Sequence, residues 1–399
     1  MRILVFENEP SSKRGGQEIS LLDVCRGLAA RSHMIDLLYV KSGDLLDNYR
    51  QFCSSIIPTT SYTVDRDHTL RASGQWLLSL IEGIKVARQA DVLYTNQYHD
   101  TLFAGALGVL LRKPVVCHLR LPPPDPACGQ HRLGIRRVTR FIAISQAARR
   151  EWIKSGFALA QDIDVVYNGI DPERFKPTGC RSSLRSQLRI PQDSFTVLFV
   201  GRFGREKGID ILLRAFGIVR RVIREARLLI VGGPPSAYQD QPYFDELCQM
   251  GRELGLDDSV QWLGRRSDVA ALCEAADVLA MPSDWPELFG RTLVESMSCG
   301  TPAIGAAVGG IPEVLSGEFE RGVFPPRKYE VLAQKILDFR QWLHVDPDLR
   351  RRCREWVIEN FHIDATVAGV EASLQHALDL GRRRASAKEV GTLTQGATG

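Results

Sequence analysis

The chain has 399 residues, a length that predicts two domains. Of these residues, 44% are hydrophobic and 25% are charged, and the formal net charge is only +4. This small net charge excludes a general electrostatic attraction to nucleic acid. Its nine cysteines form no C-x-x-C pair, which indicates neither a disulfide framework nor a zinc site and favours a reducing cytoplasm. The amino terminus enters an apolar strand pattern without signal-peptide architecture, and no apolar run approaches the ~18 residues of a spanning helix. Any contact with a membrane is therefore expected at its surface.

Short apolar runs alternate with longer amphipathic segments, and this alternation occurs twice. The predicted strands are 2–8, 34–40, 91–96, 114–120, 141–145 and 163–169 in the first series, and 195–202, 226–233, 259–264, 276–283 and 301–306 in the second. Continuous β-branched runs are typical of parallel strands buried on both faces. We therefore expect two doubly wound sheets, with ligands at the carboxyl ends of their strands in a cleft between two domains. The Pro-, Gly- and Ser-rich segment 168–194 is interpreted as the linker.

The segment FVGRFGREKGIDILLRAF (199–216) is the first candidate for phosphate binding. Neither G-x-G-x-x-G nor G-x-x-x-x-G-K-[ST] follows a predicted strand, which argues against a dehydrogenase or a P-loop NTPase. Instead, Arg202 and Lys207 stand in a glycine-rich turn between a strand and a helix, where two cations can converge on a diphosphate. The alternative is a solvated basic loop, and the position after a strand favours phosphate binding.

The segment ELFGRTLVE (287–295) holds two carboxylates. Glu287 is expected in a loop and Glu295 about one turn into the following helix. The backbone N–H groups from Gly290 to Thr292 would form the helix N-terminus, which attracts anions. Carboxylates accept hydrogen bonds from sugar hydroxyls, so one acid can hold a ribose and the other a second sugar. A surface glutamate and a helix-favouring glutamate are the alternative.

Several blocks of the sequence resemble one family. VGRFGREKGID, VQWLGRRSDV and PSDWPELFGRTLVESMSCGTPAIGAAVGGIPEVL resemble the donor-binding half of the retaining GT-B glycosyltransferases of family GT4, including its E-x7-E motif. GGQEISLLDVCRGLAARSHMIDLLYV, VVCHLR, FIAIS and VVYNGIDPERF are similar to the other half, so the resemblance covers roughly residues 1–380. It implies an α/β GT-B fold of two Rossmann-like doubly wound domains that face each other across a cleft.

The resemblance also implies the division of the chain. The expected parts are an acceptor-binding domain over 1–180, a nucleotide-sugar donor-binding domain over 181–365, and a helix over 366–381 that crosses back to the first domain. The small polar tail 382–399 is predicted to be disordered. The implied reaction is the transfer of a hexosyl group, with retention, from a nucleoside-diphosphate sugar to a hydroxyl of a glycan, a lipid-linked acceptor or a small molecule. The same resemblance implies a role in polysaccharide or cell-envelope biosynthesis.

The resemblance assigns roles to individual residues. Arg202 and Lys207 correspond to the basic pair on the donor diphosphate, Glu295 to the acid on the ribose, Glu287 to the acid near the transferred sugar, and His118 to the active-site histidine. The implied catalytic residues are His118, Glu287, Arg202 and Lys207. The implied donor-binding residues are Gly15, Gly16, Arg202, Lys207, Gly233, Arg265, Glu287, Leu288, Phe289, Gly290, Thr292 and Glu295.

The implied chemistry is dominated by the leaving group. Cleavage of the sugar–phosphate bond releases a nucleoside diphosphate, so stabilising its negative charge is the main task. The D-x-D triplets at 65–67, 162–164 and 346–348 are interpreted as accidental, and transfer without a metal or other cofactor is expected. The VVCHLR strand end carries no obvious carboxylate nucleophile, in line with the front-face attack that the resemblance implies.

The acceptor side is less constrained. Arg120, Asn96 and Tyr98 are candidates for acceptor binding, and the basic segment 131–140 would suit a phosphate-bearing or lipid-linked glycan. The same segment offers peripheral contact with the inner face of a membrane for an otherwise cytoplasmic protein, although most such runs are simply solvated. A sugar-nucleotide epimerase of the same fold and a non-catalytic sugar-nucleotide-binding protein remain the alternatives.

Overall fold

Two parallel sheets organise the chain, and each belongs to its own unit. The computed structural model describes residues 1–63, 69–233 and 241–395. One unit consists of Met1–Tyr167 together with Ile363–Gly399, and the other is Asn168–His362. Within the described ranges, no helix is both long and apolar enough to cross a membrane.

The first unit contains a seven-stranded parallel sheet in the order β3-β2-β1-β4-β5-β6-β7. Its strands are β1 (Arg2–Glu7), β2 (Met34–Tyr39), β3 (Ser55–Pro58), β4 (Val92–Thr95), β5 (Val115–Leu119), β6 (Arg140–Ala143) and β7 (Ile163–Val165). The helices between them are α1 (Gly16–Ala30), α2 (Leu46–Arg50), α3 (Thr69–Ala87), α4 (Thr101–Leu111), α5 (Gly129–Ile135) and α6 (Gln146–Lys154).

The second unit contains a six-stranded parallel sheet in the order β10-β9-β8-β11-β12-β13. Its strands are β8 (Thr196–Val200), β9 (Arg227–Val231), β10 (Val260–Gly264), β11 (Val278–Met281), β12 (Ala303–Ala306) and β13 (Val323–Phe324). Its helices are α7 (Arg181–Gln187), α8 (Ile209–Val222), α9 (Gln241–Glu253), α10 (Val269–Ala275), α11 (Arg291–Ser298), α12 (Ile311–Val314), α13 (Tyr329–Val345) and α14 (Leu349–Asn360). The last helix, α15 (Ile363–Gln395), returns to the first unit and packs against α1.

The central strand of the first sheet shows how the helices are distributed on its two faces. Successive side chains of a strand point to opposite faces. Ile3 and Val5 of β1 join the core formed with α1 and α15, whereas Leu4 and Phe6 join the core formed with α3 and α4. The apolar strand is therefore buried on both faces, which confirms the doubly wound α/β architecture predicted from the sequence.

Both sheets reverse their strand order beside their first strand. The reversal lies between β1 and β4 in the first sheet and between β8 and β11 in the second. At such a point, the loops that follow two adjacent strands turn toward opposite faces of the sheet and leave a crevice between them. Ligands of open parallel sheets bind in this crevice, at the carboxyl ends of the strands. Each unit therefore has one topologically defined place for a site.

The predicted strands are all present, with ends that differ by a few residues. Two strands were not predicted, β3 and β13, which are the edge strands next to β2 and β12. They have only four and two residues, and β3 ends in a proline, so neither forms an apolar run long enough to be recognised.

The segment 168–194 differs from the linker that the sequence suggested, because it packs within the second unit. Arg185 of α7 is 3% exposed and donates hydrogen bonds to the Ser194 side chain and to Pro191 O. Arg181 pairs with Asp277 at 2.7 Å. These buried and partly buried polar contacts anchor the segment. The two units divide at residues 167 and 362, whereas the sequence placed the divisions at 180 and 365.

The carboxyl-terminal segment 382–399, for which the sequence predicted disorder, includes the end of a helix. Helix α15 continues to Gln395. Arginine, alanine, lysine and glutamate in this stretch all favour a helix. Residues 396–399 lie outside the described part.

Candidate functional site

In the second unit, the two motifs that the sequence singled out meet at the reversal of strand order. Lys207 lies in the loop after β8, and Glu287 in the loop after β11. Because β8 and β11 are paired, their carboxyl ends are adjacent. Lys207 Nζ donates a hydrogen bond to Glu287 Oε2, and the two side chains are 20% and 25% exposed. A cation and a carboxylate that are 80 positions apart in sequence therefore lie in contact at a place that solvent can reach.

Gly208 explains how the Lys207 loop can lie so close to the end of β11. Its φ is +64°, and an added Cβ would lie 2.2 Å from the carbonyl oxygen of Pro282. Only glycine tolerates both this backbone conformation and this approach. A second contact joins the same loops, since Asp284 N donates to Glu206 O at 3.1 Å.

The backbone of Glu287 is held by a third loop, the one after β12. Gly310 N donates to Glu287 O at 2.8 Å. An added Cβ at Gly309, whose φ is +54°, would lie 2.0 Å from the same oxygen. The glycine pair therefore positions Glu287 through its main chain. Sequence reasoning did not identify this role, for which the pair GG in AAVGGIPEV is the available signal.

Helix α11 begins at Arg291, shortly after Glu287. Its N-cap is Gly290, with φ +94°, and the preceding Leu288 and Phe289 are buried, so only their main chain can meet a ligand. In the first turn, the Thr292 Oγ1 atom is buried and has no hydrogen-bond partner among the described residues.

Glu295 lies one turn into the helix, as predicted. Its carboxylate Oε1 accepts a hydrogen bond from Arg291 Nε at 2.7 Å, and both side chains are about one-tenth exposed. This arginine fixes the orientation of the carboxylate. Sequence reasoning missed Arg291, although its i,i+4 spacing from Glu295 is a recognisable signal.

The remaining predicted donor-side residues lie along the carboxyl edge of the same sheet. Gly233 and Arg265 follow β9 and β10, and an added Cβ at Gly233 would lie 3.4 Å from Arg265 Cγ. Arg202 follows β8, is exposed, and forms no hydrogen bond or ion pair with another residue in the described ranges. The structure thus brings Gly233 to Arg265, and Lys207 to Glu287, without a direct contact between Arg202 and Lys207.

In the first unit, the reversal of strand order carries a buried polar pair. Glu7 ends β1 and is 1% exposed. Asn96 follows β4 and donates through Nδ2 to Glu7 Oε2 at 2.7 Å. Burial, and secondarily the charge of Glu18, raises the pKa of Glu7 to about 7. Sequence reasoning proposed Asn96 and missed Glu7, which is recognisable only as an acid at the end of an apolar strand.

Two more buried carboxyl groups accompany this pair. Glu18, in the first turn of α1, pairs with Arg14 Nε at 3.4 Å, and burial raises its pKa. Asp100 is fully enclosed, both of its oxygen atoms lack a partner in the part of the chain that is described, and burial raises its pKa well above the ordinary value. Gly15 and Gly16 begin α1, with Gly15 as the N-cap.

His118 is completely buried at the end of β5. Its Nδ1 lies 2.6 Å from Tyr94 Oη and 3.2 Å from an Arg120 nitrogen. Burial, assisted by the Arg120 charge, lowers its pKa well below the ordinary value, so the ring is neutral. Because an arginine can only donate, Nδ1 is the acceptor and the ring proton resides on Nε2. That Nε2 atom is buried and has no partner among the residues that the structure describes.

Tyr98, another predicted acceptor residue, packs among aromatic rings. It is 8% exposed and stacks on the ring of His99, with ring centroids 4.0 Å apart. The ring of His131 packs edge-on against it at 5.2 Å. Burial and the neighbouring His131 lower the pKa of His99 to about 4. Tyr98 therefore belongs mainly to an aromatic cluster.

The three D-x-D triplets have different surroundings. Asp164 binds Arg140 and accepts from Ser373 Oγ at 2.9 Å, and Asp346 pairs with Arg352 at 2.6 Å. The triplet at 65–67 lies outside the described residues. Across residues 1–63, 69–233 and 241–395, no group of three or more potential ligands is arranged to hold a metal ion.

Comparison with known protein families gives two matches that follow one another along the chain. The family described as Glycosyltransferase Family 4 matches residues 14–174, and that described as Glycosyl transferases group 1 matches residues 181–357. D-inositol 3-phosphate glycosyltransferase of Mycolicibacterium smegmatis is 37% identical over 196 residues, which are 49% of this chain and 43% of that protein. The chain thus spans less than half the length of this curated relative.

Solved structures extend the similarity over nearly the whole chain. HepE of Anabaena, in complex with UDP and glucose, is 25% identical with a TM-score of 0.80, and the match covers 94% of this chain and 99% of that one. Sucrose-phosphate synthase from Thermosynechococcus elongatus is 22% identical with a TM-score of 0.73, over 97% and 100% of the two chains, which shows the fold alone. Two consecutive family matches and two Rossmann-like sheets establish that the chain belongs to family 4 of the glycosyltransferases and has their GT-B-like architecture.

Proposed function

We propose that the chain transfers a glycosyl group, with retention, from a nucleoside-diphosphate sugar to a hydroxyl group of an acceptor. The observation that carries this proposal is the contact of Lys207 with Glu287 beside the start of α11. A nucleotide sugar needs a cation for its diphosphate and an acceptor of hydrogen bonds for its sugar hydroxyls. In the second unit, Lys207 and Glu287 provide these two groups side by side at the reversal of strand order.

Lys207 can serve the diphosphate while it holds Glu287. An ammonium group has three donors, and the contact with Glu287 uses one of them. The other two can reach phosphate oxygens, together with the exposed Arg202 guanidinium and the backbone N–H groups at the start of α11. These positive groups stabilise the charge that develops as the nucleoside diphosphate leaves. The proposed transfer therefore assigns leaving-group stabilisation to the protein itself, without a metal.

The first unit offers groups suited to neutral hydroxyls. A carboxyl group whose pKa is raised, such as that of Glu7 or Asp100, can both donate and accept hydrogen bonds. Asn96 has a buried carbonyl oxygen without a partner among the described residues. These groups support a polyhydroxylated acceptor, such as a glycan or a lipid-linked sugar. His118, with its proton on Nε2, is proposed to donate to a sugar hydroxyl rather than to act as a base.

The relatives narrow the first substrates to test. HepE has been solved with UDP-glucose at 25% identity to this chain, and the M. smegmatis relative is named for D-inositol 3-phosphate. We therefore propose a UDP-hexose as the first donor and a polyol or sugar as the first acceptor class.

The reaction is tested with a panel of UDP-, GDP- and ADP-sugars, each with and without candidate acceptors. Release of free nucleoside diphosphate that requires an acceptor, with a matching mass increase of the acceptor, is expected. Interconversion of the donor sugar would instead identify an epimerase, and binding without turnover across the panel would identify a sugar-nucleotide-binding protein.

Substitutions in the candidate site should affect either nucleotide affinity or turnover, depending on the residue. Lys207→Ala and Glu295→Gln should each weaken binding of the nucleoside diphosphate about 10- to 100-fold, the range expected for a hydrogen bond to a charged group. His118→Ala should lower turnover and leave that affinity nearly unchanged. Isothermal titration calorimetry and steady-state kinetics measure the two effects. Arg205→Ala is the matched control, because Arg205 is exposed and pairs with Glu246. Unchanged donor affinity in both of the first two variants would refute the site.

The glycine that supports Glu287 gives a separate prediction. Gly309→Ala should displace the Glu287 loop, because its Cβ would lie 2.0 Å from Glu287 O, and kcat/KM should fall about tenfold or more. Gly255→Ala is the control: its φ is +67°, but nothing lies within 4 Å of its Cβ. Both variants carry a left-handed strain of about 1–2 kcal/mol. Equal activity of the two purified variants would show that Gly309 has no positioning role.

The buried Glu7 predicts a pH-dependent stability. Its pKa is about 7 in the folded protein and near 4.5 when exposed, so the contribution of this group is full below pH 4.5 and is lost as the pH rises through 7. Glu7→Gln does not titrate and should gain stability relative to the parent protein over this window, by up to about 3 kcal/mol. Urea denaturation at a series of pH values measures this difference. Equal stabilities at the acidic end are the internal control, and a constant difference across the window would contradict the prediction.

A further inference from the structure

Helices α3, α4 and α5 form one layer on the first sheet. Gly83 of α3 faces α4, because a Cβ added to it would lie 3.1 Å from Leu107 Cδ1. Gly134 of α5 also faces α4, because a Cβ added to it would lie 2.4 Å from Leu102 N. Leu4 and Phe6 pack beneath this layer. Its outer surface is therefore continuous from α3 to α5.

That outer surface carries an unusual share of exposed apolar side chains. Among the large apolar residues that are exposed in the described part of the chain, six of fourteen belong to these three helices. They are Leu77, Leu78, Ile81, Val109, Leu110 and Leu133. Scattered exposed apolar residues are ordinary, whereas a concentration on one layer marks an interaction surface.

The exposed side of α3 is a defined stripe. The stripe spans about 100° of arc around the helix axis, at 100° per residue. It contains Leu77, Leu78, Ile81, Lys85 and also Arg88, which lies one residue beyond the end of α3. The buried residues of the same helix lie on the other side, toward the sheet. Helix α3 is thus apolar on two faces, and only one of them is covered within its own unit.

The same layer is strongly basic. The segments 73–90, 101–113 and 129–139 contain seven lysines and arginines and a single acid, Glu82, a surplus of six positive charges in a chain whose net charge is +4. The basic residues are Lys85, Arg88, Arg112, Lys113, Arg132, Arg136 and Arg137. None of them forms an ion pair with another residue in the described ranges.

The positions of the charges follow from the fold. Each of the three helices runs from the carboxyl ends of the strands back to their amino ends, and a basic pair lies at or just beyond the C-terminus of each. A favourable interaction with the helix dipole accounts for some of this preference. It does not account for the exposed leucines and isoleucine beside them, which the dipole does not stabilise.

We propose that the outer surface of α3, α4 and α5 docks on an anionic lipid bilayer. Leucine and isoleucine side chains enter the interface between headgroups and acyl chains, while lysine and arginine contact anionic headgroups. A second copy of the chain is a poor occupant, because a two-fold contact would place the same basic residues opposite one another. This surface goes beyond the glycosyl transfer proposed above and does not depend on it.

Vesicle co-sedimentation tests this surface with the full chain. Vesicles of phosphatidylcholine with an equal part of phosphatidylglycerol should bind the protein, phosphatidylcholine alone should not, and added salt should release it. Lys85→Glu with Arg88→Glu should reduce partitioning about tenfold or more. The triple change Leu77→Gln, Leu78→Gln and Ile81→Gln should do the same at unchanged charge.

Matched variants in the second unit are the controls. Arg221→Glu with Arg224→Glu makes the same charge change, and Val222→Gln with Val345→Gln replaces two exposed apolar residues. Both should bind vesicles like the parent protein. Circular dichroism should show that all variants remain folded. Three outcomes would overturn the proposal. The parent protein could fail to bind anionic vesicles, all variants could bind equally well, or the α3 variants could lose self-association instead of vesicle binding.

Discussion

The reversal of strand order in each sheet is the constraint on which the rest of the structure depends. It forces the loops after two neighbouring strands to separate toward opposite faces, which opens a crevice whose walls are loops rather than packed helices. In the second unit, Lys207 and Glu287 meet across that crevice. In the first, Asn96 and Glu7 do so. Each pair joins the strands on either side of the reversal, so the site is fixed by topology before any particular side chain is chosen.

Burial gives the two crevices different chemistry. Lys207 and Glu287 keep a fifth to a quarter of their side-chain surface exposed and form an ion pair that water can reach. Glu7, Asp100 and His118 are almost or fully enclosed, and desolvation favours the neutral form of each. A site of accessible charges suits a diphosphate, and a site of neutral donors and acceptors suits hydroxyl groups. This contrast is the physical basis for our proposal that the donor binds in the second unit and the acceptor in the first.

The architecture could be predicted, and the residues of the candidate site in the second unit could be singled out, because both have local signals. An apolar run identifies a strand, and the strand–glycine–cation pattern around Lys207 or the two acids in ELFGRTLVE is legible within a few residues. The edge strands β3 and β13 were too short to give such a signal. The roles of Glu7 and Gly309 were also missed, since each depends on a partner brought close only by sheet register or by a neighbouring loop. The ring contacts of Tyr98 were not predicted either, because the other residues of TNQYHD are mainly polar.

The proposed membrane surface and the crevices make use of opposite ends of the same helices. In a parallel sheet with crossover helices, every connecting helix presents its N-terminus to the edge where strands end and its C-terminus to the edge where they begin. The polar groups near α1 and α4 lie at the first edge, and the basic pairs after α3 and α4 lie at the second. Helix polarity therefore keeps the proposed lipid contact apart from the proposed ligand site within one unit.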